Sequence, residues 1–141
     1  MNTQQIDAIL SSDYMTKNLF RGVFAIDQLP TICDGMYVIN TDEQDKPGEH
    51  WLAVYNKEYF DSFGFPPQDK RAIDFLETNV MYNCVSLQPL LSNSCGFYCV
   101  YYLLQRARGE SMEEIIHTLS KMDSHFIVKH TLYERYKSLF A

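Results

Sequence analysis

The chain has 141 residues, a length suited to one domain with a substantial core, and its 46% hydrophobic and 21% charged composition excludes a disordered or fibrous protein. A formal net charge of −6 with a pI near 5.1 argues against a nucleic-acid binder, because the densest basic spots, Lys70-Arg71 and Arg106/Arg108, read as solvated helix faces. No apolar run reaches the roughly 18–20 residues of a membrane span, and the chain start lacks the basic segment and apolar core of a signal peptide.

Asn2 and Gln5 make a capping-box pattern that opens a short helix through Leu10. Residues 19–26 read as a turn leading into an extended piece. Met36-Tyr37-Val38-Ile39-Asn40 has strand character and runs into the polar stretch 41–48, which closes on the breakers Pro47-Gly48. Trp51-Leu52-Ala53-Val54-Tyr55 is a continuous apolar run of strand length, consistent with a central strand. Asn56-Lys57 makes a turn and residues 59–63 return, completing a β-meander that Gly64 and Pro66-Pro67 end.

Within residues 68–79, Ala72, Ile73, Phe75 and Leu76 give an amphipathic helix. Residues 82–87 form another short strand leading into Gln88-Pro89. A buried helix follows from about Ser94 to Arg108 and stops at Gly109. Ser111 and Glu114 make a second capping box, for a helix through about Met122. Ser124 caps a last helix with Phe126, Ile127, Leu132, Tyr136 and Leu139 on its core side. Helices flanking and following a mostly antiparallel or mixed β-sheet define an α+β fold, read as a single domain over 1–141.

The four cysteines lack metal-ligand spacing: Cys95 and Cys99 share one helix face, while Cys33 and Cys84 stand apart with no flanking His. No metal and no cofactor is expected, and a reducing intracellular compartment is the simpler reading. Cysteines in apolar helices are usually small buried hydrophobes, which suits Cys99. Cys95 differs by position. It lies in the first helical turn, where unpaired N–H groups and the helix dipole favour an anion, and the thiolate is the nucleophilic form. Small polar residues precede it, and Gly96 follows it, leaving room for a substrate backbone.

His50 follows the breaker turn at the start of strand 51–55, a rigid position suited to a general base. His117, His125 and His130 fall in the C-terminal helices and read as surface or half-buried residues. Asp61 is the best orienting partner for His50, because the meander returns it to an adjacent strand. Asp42, Asp45, Glu49 and Glu58 sit in turns and read as solvated; Asp61-Ser62 could also be no more than a polar strand end. Gln88 precedes Cys95 by a short loop, so its amide and a helix-start N–H could form an oxyanion hole. In isolation Gln88 reads as an ordinary loop glutamine.

Taken together, Gly48-Glu49-His50-Trp51, Phe60-Asp61-Ser62-Phe63-Gly64-Phe65, Gln88 and Ser94-Cys95-Gly96-Phe97 resemble the adenovirus protease (adenain) branch of the ubiquitin-like-protease clan. The order His, acid, Gln, Cys is that clan's order and the reverse of papain's. The opening helix, the aromatic segment 20–24 and the strand Val38-Ile39-Asn40-Thr41 also occur in adenain's order, so the resemblance covers residues 1 to about 109. Adenain commonly has Glu where Asp61 stands; cellular members of the clan have Asp.

The resemblance implies an adenain-like, papain-related cysteine protease fold of circularly permuted order. His50 would be general base, Asp61 its partner and Cys95 nucleophile, with Gln88 and the Cys95 N–H as oxyanion hole. It also implies cleavage after Gly at Gly-Gly or Gly-X-Gly sites, with Trp51 narrowing the cleft. The substrates would be polypeptides, foremost capsid or other virion precursors, processed in the host cytoplasm or nucleus or inside the virion. Adenain is larger and basic and uses viral DNA and a cationic peptide as activators. DNA activation does not suit this acidic chain, whereas a basic activating peptide is electrostatically compatible with it. Two other readings stay open: a deconjugating protease for ubiquitin or a ubiquitin-like modifier, and a catalytically silent binding module with the same fold.

Overall fold

The computed structural model describes residues 1–43, 50–88, 94–121 and 123–140. Most of the expected turn 41–48, with Asp45, Gly48 and Glu49, lies outside the described residues, as do the loop 89–93 and Met122. Helix α1 (Thr3–Ser12) starts as expected, with Gln5 N donating to Asn2 Oδ1 at 2.8 Å and Asn2 N donating to Gln5 Oε1 at 3.0 Å. It buries Ile6, Ile9 and Leu10. The extended piece beyond it is strand β1 (Phe20–Ala25), followed by β2 (Met36–Asn40), β3 (Trp51–Tyr55) and β4 (Glu58–Phe60).

A five-stranded mixed sheet runs in the order β1-β2-β3-β4-β5, so β3 is central. The meander β2-β3-β4 is antiparallel, while β1 and β5 (Met81–Tyr82) join its two sides in parallel. Both faces are covered, which is why strands 2 and 3 read as unbroken apolar runs. Met36, Val38, Ala53 and Phe60 point to one core with α1 and α3 (Cys95–Ala107). Tyr37, Ile39, Leu52, Val54 and Tyr59 point to the other, with Ala72, Phe75 and Leu76 of α2 (Lys70–Leu76). The period-two alternation of side chains splits one apolar run between two cores.

Two elements are shorter than the sequence suggests. Asp69 caps α2 by accepting from Arg71 N at 2.8 Å, and the helix stops at Glu77, whose φ is +63°. Ile73 faces outward rather than into the core. Strand pairing at 82–87 ends after Tyr82, because the Asn83 side chain takes over the ladder. Its Oδ1 accepts from Asp61 N at 3.0 Å and its Nδ2 donates to Asp61 O at 2.6 Å.

Helix α3 is buried from Cys95 through Leu104 and forms the axis of the helical layer. Around it lie α4 (Met112–Lys121), α5 (Ser124–Arg135) and the short α6 (Lys137–Phe140), which the sequence did not suggest. The Ser111–Glu114 capping box is present, with both reciprocal bonds at 3.1 Å. The cap of α5 is Asp123, not Ser124: its side chain accepts from Phe126 N at 3.2 Å. Phe126 is exposed and stacks on His130, while Val128 and Leu132 carry the buried face.

Arg106, Arg108 and Glu58 also depart from the solvated reading. Arg106 grips Glu58 with two 2.8 Å bonds, and Tyr102 OH donates to the same carboxylate, tying α3 to the β3–β4 hairpin. Arg108 Nη2 lies 2.7 Å from Asp13 Oδ1, which also accepts from Tyr136 OH at 2.8 Å. Lys70 and Arg71 do form exposed pairs, with Asp74 and Asp69. No helix among the described residues is long and apolar enough to cross a membrane.

Candidate active site

His50 and Asp61 flank two neighbouring strands at one end of the sheet. His50 immediately precedes β3 and is anchored by Thr41 N donating to its carbonyl at 2.9 Å. Asp61 immediately follows β4. Because Ala53 pairs with Phe60, continuing that antiparallel register past the strand ends sets His50 level with Phe63 and within reach of Asp61. The side chains meet accordingly: His50 Nε2 lies 2.8 Å from Asp61 Oδ1, and its ring stacks on Phe63 with centroids 4.4 Å apart. The same Oδ1 accepts from Phe63 N at 2.9 Å, and Asn83 clamps the Asp61 backbone. Asp61 is 4% exposed, so this is a buried orienting carboxylate rather than a solvated strand end.

Cys95 is the first residue of α3 and lies beside β3 on the other side of His50. Trp51 N donates to Cys95 Sγ at 3.4 Å, and the thiol shares a hydrogen bond with the His50 ring. Asp61 engages Nε2, which leaves Nδ1 as the ring nitrogen open to the thiol. Burial acts to raise the Cys95 pKa, but His50, the Trp51 N–H and the Gly96 N–H together outweigh it and hold the value below that of an ordinary thiol. Burial likewise acts to lower the His50 value, and the hydrogen bonds and charges of Asp61 and Cys95 override it, lifting it to about 9. A thiolate–imidazolium pair is the form this geometry favours. Two other thiols go the opposite way: partial burial pushes Cys33 up to about 11, and full burial pushes Cys99 well above its ordinary range.

Gln88 is buried, and Ser62 fixes its orientation. Leu87 N and Gln88 N both donate to Ser62 O, at 2.8 and 3.1 Å, and the Ser62 hydroxyl donates to Gln88 Oε1. That bond commits the amide oxygen as acceptor and leaves NH₂ as its donor end. Gly96 also has a packing role that its sequence position does not reveal. A Cβ built there would lie 3.2 Å from Met1 and 3.3 Å from the Trp51 ring, so its missing side chain lets Trp51 lie against α3.

Ser62, Phe63 and Asn83 are the supporting residues that sequence reasoning missed, and His125 Nδ1 lies 3.2 Å from the hydroxyl of Ser94, next to Cys95. Ser62 and Phe63 are adjacent to Asp61, a proximity signal that was available. Asn83 and His125 carry none, because folding alone brings them near. A cavity of about 290 Å³ borders His50, Asp61, Phe63 and Phe65. A larger groove of about 820 Å³, between Met81–Val85 and α4, touches none of the four candidate residues. Among the described residues, no group of three or more His, Cys, Asp or Glu side chains could hold a metal ion. Compared with models of known protein families and with curated proteins, the chain matches none of them.

Proposed function

We propose that the chain is a cysteine endopeptidase with an adenain-like fold that cleaves polypeptides after glycine, acting on capsid or other virion precursors inside the host cell. One observation carries the reading: His50 Nε2 lies 2.8 Å from the buried Asp61 carboxylate, while Cys95, its Sγ accepting from the neighbouring Trp51 N at 3.4 Å, sits beside the same histidine. The Cys95 thiolate attacks the carbonyl carbon of the scissile bond, and the negative charge passes to the carbonyl oxygen. The Gln88 amide and the N–H of Cys95 receive that oxyanion. As the C–N bond breaks, protonated His50 gives its proton to the departing amine, leaving a thioester on Cys95. A water molecule, deprotonated by His50, attacks the thioester; its collapse releases the acid and the thiol. Asp61 keeps the imidazole oriented and stabilises its charged form throughout, and Phe63 covers one ring face.

Replacing Cys95 by Ala tests this directly. Cleavage of a Gly-Gly-X peptide, followed by mass spectrometry of the products, should disappear while the circular dichroism spectrum and thermal midpoint stay near wild type. Cleavage that persists in the variant would overturn the assignment. Cleavage confined to a ubiquitin-like modifier fused through its C-terminal glycine would instead make the enzyme a deconjugating protease.

A further inference from the structure

Serine at a helix N-cap ordinarily turns its hydroxyl onto the N–H groups of its own first turn. Ser94 precedes Cys95 at the cap of α3 and makes no such bond; its φ of −90° and ψ of 5° also lie outside the extended region usual for a cap. Its hydroxyl lies 3.2 Å from Nδ1 of His125, on α5. By contrast, Asn2, Asp69 and Asp123 do cap their helices, from extended backbone. The next residue back, Ser124, is equally engaged: its Oγ donates to Leu87 O at 2.8 Å and lies 2.7 Å from Tyr98 OH, which reaches the same carbonyl at 3.0 Å. The first turn of α5 therefore grips the residue before Gln88 and the residue before Cys95.

We propose that His125 is a positioning residue: by holding the Ser94 hydroxyl away from the start of α3, it reserves the first-turn N–H groups for the thiolate and the reaction's oxyanion. This rests on the protease reading for its second half only. The Gly96 N–H is one of the groups that hold the Cys95 pKa down, so a Ser94 hydroxyl swung back into the cap would compete at the same helix end. The departure from the capping rule thus falls at the one helix terminus that carries the nucleophile.

The test compares wild type with His125→Ala, His125→Asn and the double variant Ser94→Ala/His125→Ala. In each, the pH dependence of iodoacetamide alkylation at Cys95, kcat and KM on a Gly-Gly-X peptide, and the thermal midpoint are measured. In His125→Ala, kcat should fall on the order of tenfold, with KM within about twofold of wild type. The alkylation profile should move up by about half a pH unit, because the thiolate shares its donors with the returned hydroxyl. The thermal midpoint should hold or rise, since a helix cap has been regained. His125→Asn, which can still accept from Ser94, and the double variant, which has no hydroxyl to return, should both recover towards wild type. Activity lost in step with a lower thermal midpoint, or unchanged alkylation and kcat, would overturn the proposal. If wild type cleaves no peptide, the protease reading fails on its own, and the alkylation profiles alone decide the role of His125.

Discussion

Single residues set the charge state of the centre. Cys95 is held below, and His50 above, its ordinary pKa, so the paired ions persist across a window with a limb at each end. Activity should rise as pH passes the lowered thiol value and fall as the imidazolium deprotonates near pH 9. Asp61→Asn removes the carboxylate charge that raises His50, so its folded pKa drops and the alkaline limb of the kcat/KM profile moves to lower pH. The same change should lower kcat on the order of 10²-fold, because the imidazole loses the acceptor that orients it. An alkaline limb left in place in that variant would show that Asp61 is not what holds the imidazolium.

Helices and strands hold these residues through a few buried polar ties. Glu58, at the start of β4, receives two bonds from Arg106 and one from Tyr102, both on α3. The carboxylate and guanidinium side chains are only 18–19% exposed, so removing one charge leaves the other largely buried without its partner. Glu58→Gln keeps the shape and removes the charge. It should lower the free energy of unfolding by about 2–3 kcal/mol in a urea titration. Cys95 alkylation in buffer without denaturant should stay near wild type, because the tie lies at the opposite end of α3 from the thiol. A strongly altered alkylation rate would mean that the hairpin and α3 also set the geometry of the reactive end.

For the molecule as a whole, acid stability should depend on Asp13. Burial acts to raise its pKa, but bonds from Arg108 and Tyr136 and the Arg108 charge bring the value below the ordinary carboxylate range. A carboxylate whose folded pKa is depressed adds stability above its unfolded value, near 3.9, and loses it as pH falls through the folded value. Asp13→Asn should therefore lower the thermal midpoint at pH 7, and its difference from wild type should shrink as pH drops below about 4. The tie joins the end of α1, the end of α3 and the α5–α6 junction, so its loss acts on the whole helical layer.

Local and short-range rules made much of the fold legible from the sequence. The α1 and α4 capping boxes, the meander and the long buried helix after Ser94 follow from hydrogen-bonding side chains and apolar periodicity, both written within a few residues. His50, Asp61, Gln88 and Cys95 stood out in the sequence by their order and immediate neighbours, and the fold sets His50 against Asp61. Tertiary packing alone decided which polar residues serve them. Asn83 replaces a strand ladder because Asp61 lies beside it, Ser62 orients Gln88 across 26 residues, and His125 reaches Ser94 across 31. Asp123, not Ser124, caps α5, and the Ser124 hydroxyl donates instead to the distant Leu87 carbonyl. Arg106, Arg108 and Glu58 left solvent because their partners lie on other elements. A side chain's periodicity and capping preference can be read along the chain; its distant hydrogen-bond partner is settled only when the folded chain supplies one.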